Sequence, residues 1–149
     1  VTRRLVGKGS LNGTGPIYME FQVNDSQTIY AGDIVVLSSN KASIAADAPN
    51  AGTVLGVSAT DIVTTTATAS DIIKVDINPA SKYEIAYTGT ATNIVVGNKY
   101  DMGTAAYELD ADDTTGGWLQ VTPQSDGTAY DSDKGTADVI LTNRVFGLV

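Results

Sequence analysis

Apolar and polar residues alternate with a period of two at several places along this chain. Residues 17–23 read IYMEFQV, with Ile17, Met19, Phe21 and Val23 alternating with Tyr18, Glu20 and Gln22. That is the period of a half-buried strand. Residues 71–77 (DIIKVDI) set Ile73, Val75 and Ile77 against Lys74 and Asp76, and residues 83–87 (YEIAY) alternate again. Two stretches are apolar without alternation: residues 34–37 (IVVL) and 53–59 (TVLGVSA). A short continuous run of this kind fits a strand covered on both faces. Gly56, inside the second run, points to a bulge or a close backbone approach.

Turn signals separate these runs. Asn24-Asp25-Ser26, Ala31-Gly32-Asp33, residues 38–42, residues 79–82 and Gly97-Asn98 all carry turn residues. Further short strands are expected over residues 28–30, 99–102, 107–109, 118–121 and 137–142, and residues 94–96 form a short apolar run. Residues 61–70 (DIVTTTATAS) read as a strand edge or a loop. The sum is about nine or ten segments at spacings of about 8–12 residues, which predicts an all-β fold, a small β-barrel or sandwich. No stretch sustains a 3.6-residue period. The best helical candidate is one turn near residues 45–48, kept short by Pro49. The chain ends apolar, with Phe146, Leu148 and Val149, so this end is expected to join a sheet or meet a partner.

The start has a different character. Residues 1–16 (VTRRLVGKGSLNGTGP) hold Arg3, Arg4 and Lys8, four glycines and no acidic residue. Glycine at this density denies the segment a helix. It reads as an extended basic arm, ahead of a single β domain over residues 17–149. The whole chain has 9 Lys and Arg against 17 Asp and Glu, a net −8. Without the arm's three cations the body is near −11. An arm of one sign on a body of the other is expected to meet a different surface, with Arg3, Arg4 and Lys8 pairing with a partner's carboxylates.

Composition narrows the chemistry. Cysteine and histidine are absent. That excludes a disulfide framework, a thiolate metal site and a cysteine nucleophile, and removes the commonest general base. The acidic balance argues against a large nucleic-acid surface. No apolar run reaches the roughly 18 residues of a membrane helix, and residues 1–10 lack the apolar stretch of a signal peptide. Fourteen of the acids are Asp and three are Glu, a turn-forming bias.

Candidate sites are few. Asp110, Asp112 and Asp113 cluster, and Asp126, Asp131, Asp133 and Asp138 follow. Asp131-Ser-Asp133-Lys-Gly135 begins like a calcium loop but lacks its third ligand and distal Glu. These acids are read as solvated turns. Gly7-Lys8-Gly9-Ser10 misses the upstream glycine of a phosphate loop, and any serine nucleophile would need a lysine base, for which no arrangement stands out. Carboxylate pairs of the glycosidase kind arise by chance in any acidic β-protein. No enzyme activity, cofactor or metal is expected. Trp118, the single Trp, is assigned to a core or, with Phe146 and Leu148, to an oligomer or partner interface, ahead of a sugar-stacking role.

Four short motifs carry a family resemblance: residues 30–37 (YAGDIVVL), 52–59 (GTVLGVSA), 71–77 (DIIKVDI) and 95–100 (VVGNKY). Together they resemble the head decoration, or cement, proteins of tailed bacteriophages, over about residues 28–102. The resemblance implies a compact β-barrel or β-tulip and a homotrimer. It also implies a place on the outer surface of the capsid and a terminal arm running over the major capsid protein. The function implied is to clamp capsid subunits against the pressure of packaged DNA. The competing expectation is a fibre, spike or adhesin-type β domain that binds host glycans, with Trp118 and the tyrosines as its surface.

Overall fold

The computed structural model describes residues 4–46, 49, 52–124 and 135–147. The fold is all-β, as the alternation predicts. In chain order the strands are β1 (Val6–Ser10), β2 (Tyr18–Gln22), β3 (Thr28–Ile29), β4 (Ile34–Ser38), β5 (Lys41–Ile44), β6 (Val54–Ser58) and β7 (Ile62–Val63). They continue with β8 (Ile72–Asp76), β9 (Ser81–Thr88), β10 (Lys99–Tyr100), β11 (Glu108–Asp110), β12 (Leu119–Val121) and β13 (Thr136–Leu141).

One sheet has the order β2-β8-β6-β4-β5, all antiparallel. A parallel bridge between Val23 and Ala42, with Asn24 N–H donating to Ala42 C=O (3.0 Å), joins its two outer strands. The sheet therefore curls until its edges meet. Its inside is a small core of Val23, Ile29, Val35, Leu55, Ile73 and Val75. The second sheet has the order β1-β9-β13-β12-β10, with β11 beside β9 in parallel. It packs a larger core, including Ile85, Leu109, Trp118, Leu119 and Val139, against the outside of the curled sheet.

This two-core arrangement explains the continuous apolar runs. Along β4, Ile34 and Val36 face the larger core, while Val35 and Leu37 face the smaller one. Along β6, Val54 and Val57 face one and Leu55 the other. A strand shared between two cores has no polar face to show. β6 also carries the expected bulge: Val35 pairs with Gly56 but Val36 with Val54.

Two strands go beyond the sequence reading. β5 follows β4 through a two-residue turn in which Ser39 and Asn40 both have positive φ (52° and 63°), the geometry of a tight hairpin. β1 forms despite its glycines, because β9 offers it an edge. Two expectations change. The run at residues 94–96 forms no strand: it leads from a single 3-10 turn, Ala91–Asn93, through an extended Ile94 into a turn at Val96-Gly97. The helical turn expected at 45–48 is not helical at Ala45 and Ala46; Asp47 and Ala48 lie outside the described residues.

Candidate functional site

The described part of the expected arm lies on the body. Val6 pairs with Glu84 and Gly7 with Tyr83 in the antiparallel β1–β9 ladder. Leu5 is buried in the larger core, and its N–H donates to Gly32 C=O (3.1 Å). Arg4 Nε donates to Asp33 Oδ1 at 2.8 Å. Its guanidinium lies 4.5 Å from the Tyr30 ring centroid and 5.0 Å from that of Tyr107. Lys8 pairs with Glu84 at 3.1 Å. The cations expected to seek a partner's carboxylates thus find carboxylates in their own chain. Arg3 lies outside the described residues.

The Ala31-Gly32-Asp33 turn receives this segment. Gly32 has φ 93°, and a Cβ there would lie 2.8 Å from both Arg4 Cβ and Leu5 O, so only glycine lets the backbones approach this closely. Asp33 is fully buried; its Oδ2 accepts from Tyr30 N–H (2.9 Å). Burial pushes its carboxyl above the ordinary aspartate range, against the pull of the Tyr30 N–H and of Arg4.

Residues 11–16 are also tied down. Buried Asn78 donates to Gly15 C=O (2.7 Å) and exchanges bonds with the Asn12 amide. Gly15 N–H donates to Ser10 Oγ (2.9 Å). A sequence reading that saw only glycines and cations had no view of these distant partners.

The C-terminal segment crosses back over β6. Arg144 bridges Val54 in parallel, and Val145 N–H donates to Val54 C=O (2.9 Å). The Arg144 guanidinium donates to three carbonyls: Asn78 (2.9 Å), Leu55 (2.7 Å) and Asp76 (2.7 Å). Burial pulls its pKa below the ordinary arginine value, with the Asp76 carboxylate acting the other way. The Asp76 carboxylate accepts from Ile17 N–H (3.1 Å), Asn78 N–H (3.0 Å) and the Tyr83 hydroxyl. Burial first, then that bond, hold the Tyr83 phenol well above its usual range. This hub of Asp76, Tyr83 and Arg144 ties both sheets to the C-terminal segment, and the sequence reading did not single it out.

Of the expected interface residues, Trp118 needs correcting. It is 1% exposed inside the larger core, so it offers no surface to a partner or a glycan. Its backbone is held from both sides, its N–H donating to Tyr100 C=O (3.1 Å) and its C=O accepting from Thr142 N–H (2.7 Å). Trp118→Ala is expected to cost about 3–5 kcal/mol, read as a large fall in melting temperature; a surface Trp would leave that temperature unchanged. Phe146 is half-buried, its ring centroid 6.1 Å from that of Phe21, and it packs with Val145 on the smaller core. Leu148 lies outside the described residues.

The acidic loop is built from local turns. Asp110 Oδ1 accepts from Asp112 N–H (3.0 Å) and Asp113 Oδ1 from Thr115 N–H (2.9 Å). Asp112 Oδ1 accepts from Thr90 N–H and the Asn93 amide, both at 2.9 Å. These bonds, the Thr90 N–H first, hold the Asp112 carboxyl below its usual range. Among the described residues no group of three or more acidic side chains is placed to hold a metal ion; Asp126, Asp131 and Asp133 lie outside them. No described helix is long and apolar enough to cross a membrane. No protein-family model matches this chain, and no curated protein matches it.

Proposed function

We propose that this chain is a structural protein of a virus particle, a decoration protein that binds the outer surface of the major capsid lattice of a tailed-phage head as a homotrimer. What supports this best is where three of the four resembling motifs fall; the fourth, residues 95–100, enters β10 of the other sheet. Residues 30–37, 52–59 and 71–77 supply β4, β6 and β8, three adjacent strands of one sheet. Short motifs scattered by chance have no reason to meet in one ladder. The first of them also forms the turn that receives Arg4 and Leu5.

The mode of binding differs from a free arm. Arg4 and Lys8 would have to leave Asp33 and Glu84 to reach a partner. The contact falls instead to β1, which ends its sheet among the described residues. Val6 and Leu11 beside it are 51% and 62% exposed. An open edge of this kind accepts an extended strand from another chain. Three weak contacts on one trimer act at high effective concentration. A ligand that binds only the assembled shell stabilises it by linkage.

Expanded heads of the encoding virus, freed of this protein, provide the test. The wild type is expected to sediment with them in threefold stoichiometry and raise their melting temperature. Val6→Asp combined with Leu11→Asp changes two exposed side chains and is expected to weaken binding about tenfold or more. Heads that sediment without the wild-type chain would rule the proposal out.

A further inference from the structure

Asn12, Gly13 and Thr14 are exposed in the loop between β1 and β2, strands of different sheets. We propose that Asn12 is a self-modification site: the folded chain converts it, without an enzyme, to aspartate and isoaspartate through attack by the Gly13 nitrogen. The inference stands apart from capsid binding and rests on what surrounds the Asn12 carboxamide.

The nucleophile comes first. Of the eight asparagines in the sequence, Asn12 alone is followed by glycine. Elsewhere a side chain stands beside the next nitrogen, or, at Pro79, that nitrogen has no hydrogen to lose. A Cβ on Gly13 would have nothing within 4 Å, so hydroxide can approach its N–H. That N–H donates to Ser10 C=O at 3.4 Å, beyond the ordinary range for such a bond. Glycine also tolerates the backbone changes that ring closure needs.

The electrophile is held for attack. Thr14 N–H donates to Asn12 Oδ1 (3.2 Å), which closes a turn whose ring contains both Asn12 Cγ and Gly13 N. The Thr14 hydroxyl donates to the same oxygen (2.8 Å). One hydrogen of the Asn78 amide goes to Gly15 C=O (2.7 Å), and the other is shared between Asn12 Oδ1 (3.3 Å) and Thr14 Oγ1 (3.2 Å). Attack on Cγ puts negative charge on Oδ1. Donors already in place hold that charge better than they hold the neutral amide, because charge-assisted hydrogen bonds are about twice as strong.

The reaction needs water alone. Gly13 N gives its proton to hydroxide and bonds to Asn12 Cγ. The Cγ–Nδ2 bond breaks, and Nδ2 leaves as ammonia with a proton from water. The five-membered succinimide then takes up one water. Opening at Cγ leaves aspartate. Opening at the main-chain carbonyl leaves isoaspartate, with the chain running through the former side chain. Either carboxylate only accepts hydrogen bonds. Asn78 Oδ1 therefore loses the Asn12 Nδ2 donor (3.2 Å) and keeps the Ala80 N–H (3.0 Å).

Incubation of the full chain in mildly alkaline buffer, followed by peptide mass spectrometry, tests the assignment. A synthetic peptide of residues 7–17 is the reference, since it keeps the Asn-Gly pair but lacks Asn78 and the fold. Asn12 is expected to gain one mass unit before any other asparagine, at least as fast in the folded chain as in the peptide. Enzymatic methylation of isoaspartate is expected to report the second product. Thr14→Val removes the hydroxyl donor at an exposed position. It is expected to slow the folded chain about tenfold, the effect of one hydrogen bond to a charged group, and to leave the peptide's rate as it was. Thr14→Ser keeps the hydroxyl and is expected to convert as the wild type does. The proposal fails if Asn12 stays intact in the folded chain or converts there more slowly than in the peptide, because the fold would then protect it. It fails equally if Thr14→Val converts as fast as the wild type, because the glycine alone would then account for the reaction.

Discussion

Gly56→Ala is expected to leave this chain unfolded or nearly so. A methyl group at that position would overlap the Asp76 carbonyl oxygen and lie 2.5 Å from Arg144 Nη2. The oxygen belongs to the neighbouring strand β8, so relief requires β6 and β8 to part or β6 to lose its bulge. Both cores lie against β6, and either movement disrupts them together. If Arg144 moves instead, the carbonyls of Leu55, Asp76 and Asn78 lose their donor. An unmet buried polar group costs about 1–3 kcal/mol, against a total stability of about 5–15 kcal/mol for an ordinary domain. Circular dichroism melting is the measurement: Gly56→Ala should show no cooperative transition, or one lowered by more than about 10 °C. Arg144→Met should also destabilise but still melt cooperatively. The two changes act on one place, so the double variant should be less destabilised than the sum of the singles. Strict additivity would mean that Gly56 and Arg144 are not coupled.

The same position shows how far the sequence could be read. A lone glycine inside TVLGVSA signals a bulge or a close approach, and both are present. What it cannot signal is that the approaching group comes from residue 144. Period-two patterns placed β2, β8 and β9 because each shows one face to a core, and that information is local. The shared faces of β4 and β6 were legible as unbroken apolar runs for the same reason. β5 was missed because Ser39-Asn40 is a less familiar tight turn than Asn-Gly, although both residues tolerate positive φ. β1 was missed because strand propensity belongs to the residue while an edge belongs to the sheet: β9 lies more than seventy positions away. Trp118 was legible as an anchor, but only the packing decides whether an anchor faces inward or outward. The bias toward Asp was legible as turn chemistry. Asp25, Asp61 and Asp71 each accept a backbone N–H across or within a loop (Ala67, Ala31 and Thr68).

Removing residues 1–10 is expected to lower the melting temperature by about 10–20 °C or to prevent folding, where the loss of a free arm would change nothing. Three losses combine. Leu5 leaves the larger core, and truncating a buried leucine costs about 2–5 kcal/mol. β9 loses its neighbour over residues 81–84, exposing one edge of the sheet. Asp33 loses its ion pair with Arg4, and breaking a buried pair costs up to about 3–5 kcal/mol, less as far as water reaches the site. These terms share the turn at residues 31–33 and will not add in full. A net loss of about 5 kcal/mol corresponds to the stated fall for a chain of this length. Asp33→Asn in the truncated chain isolates the charge term. It should recover part of the loss, because an amide is less costly than a carboxylate to leave in that site. In the full-length chain the same substitution removes the ion pair with Arg4 and should not stabilise. If truncation leaves the melting temperature within about 2 °C of wild type, residues 1–10 contribute nothing to the fold in solution. The docked strand would then be only one of its positions, and the free-arm expectation would return.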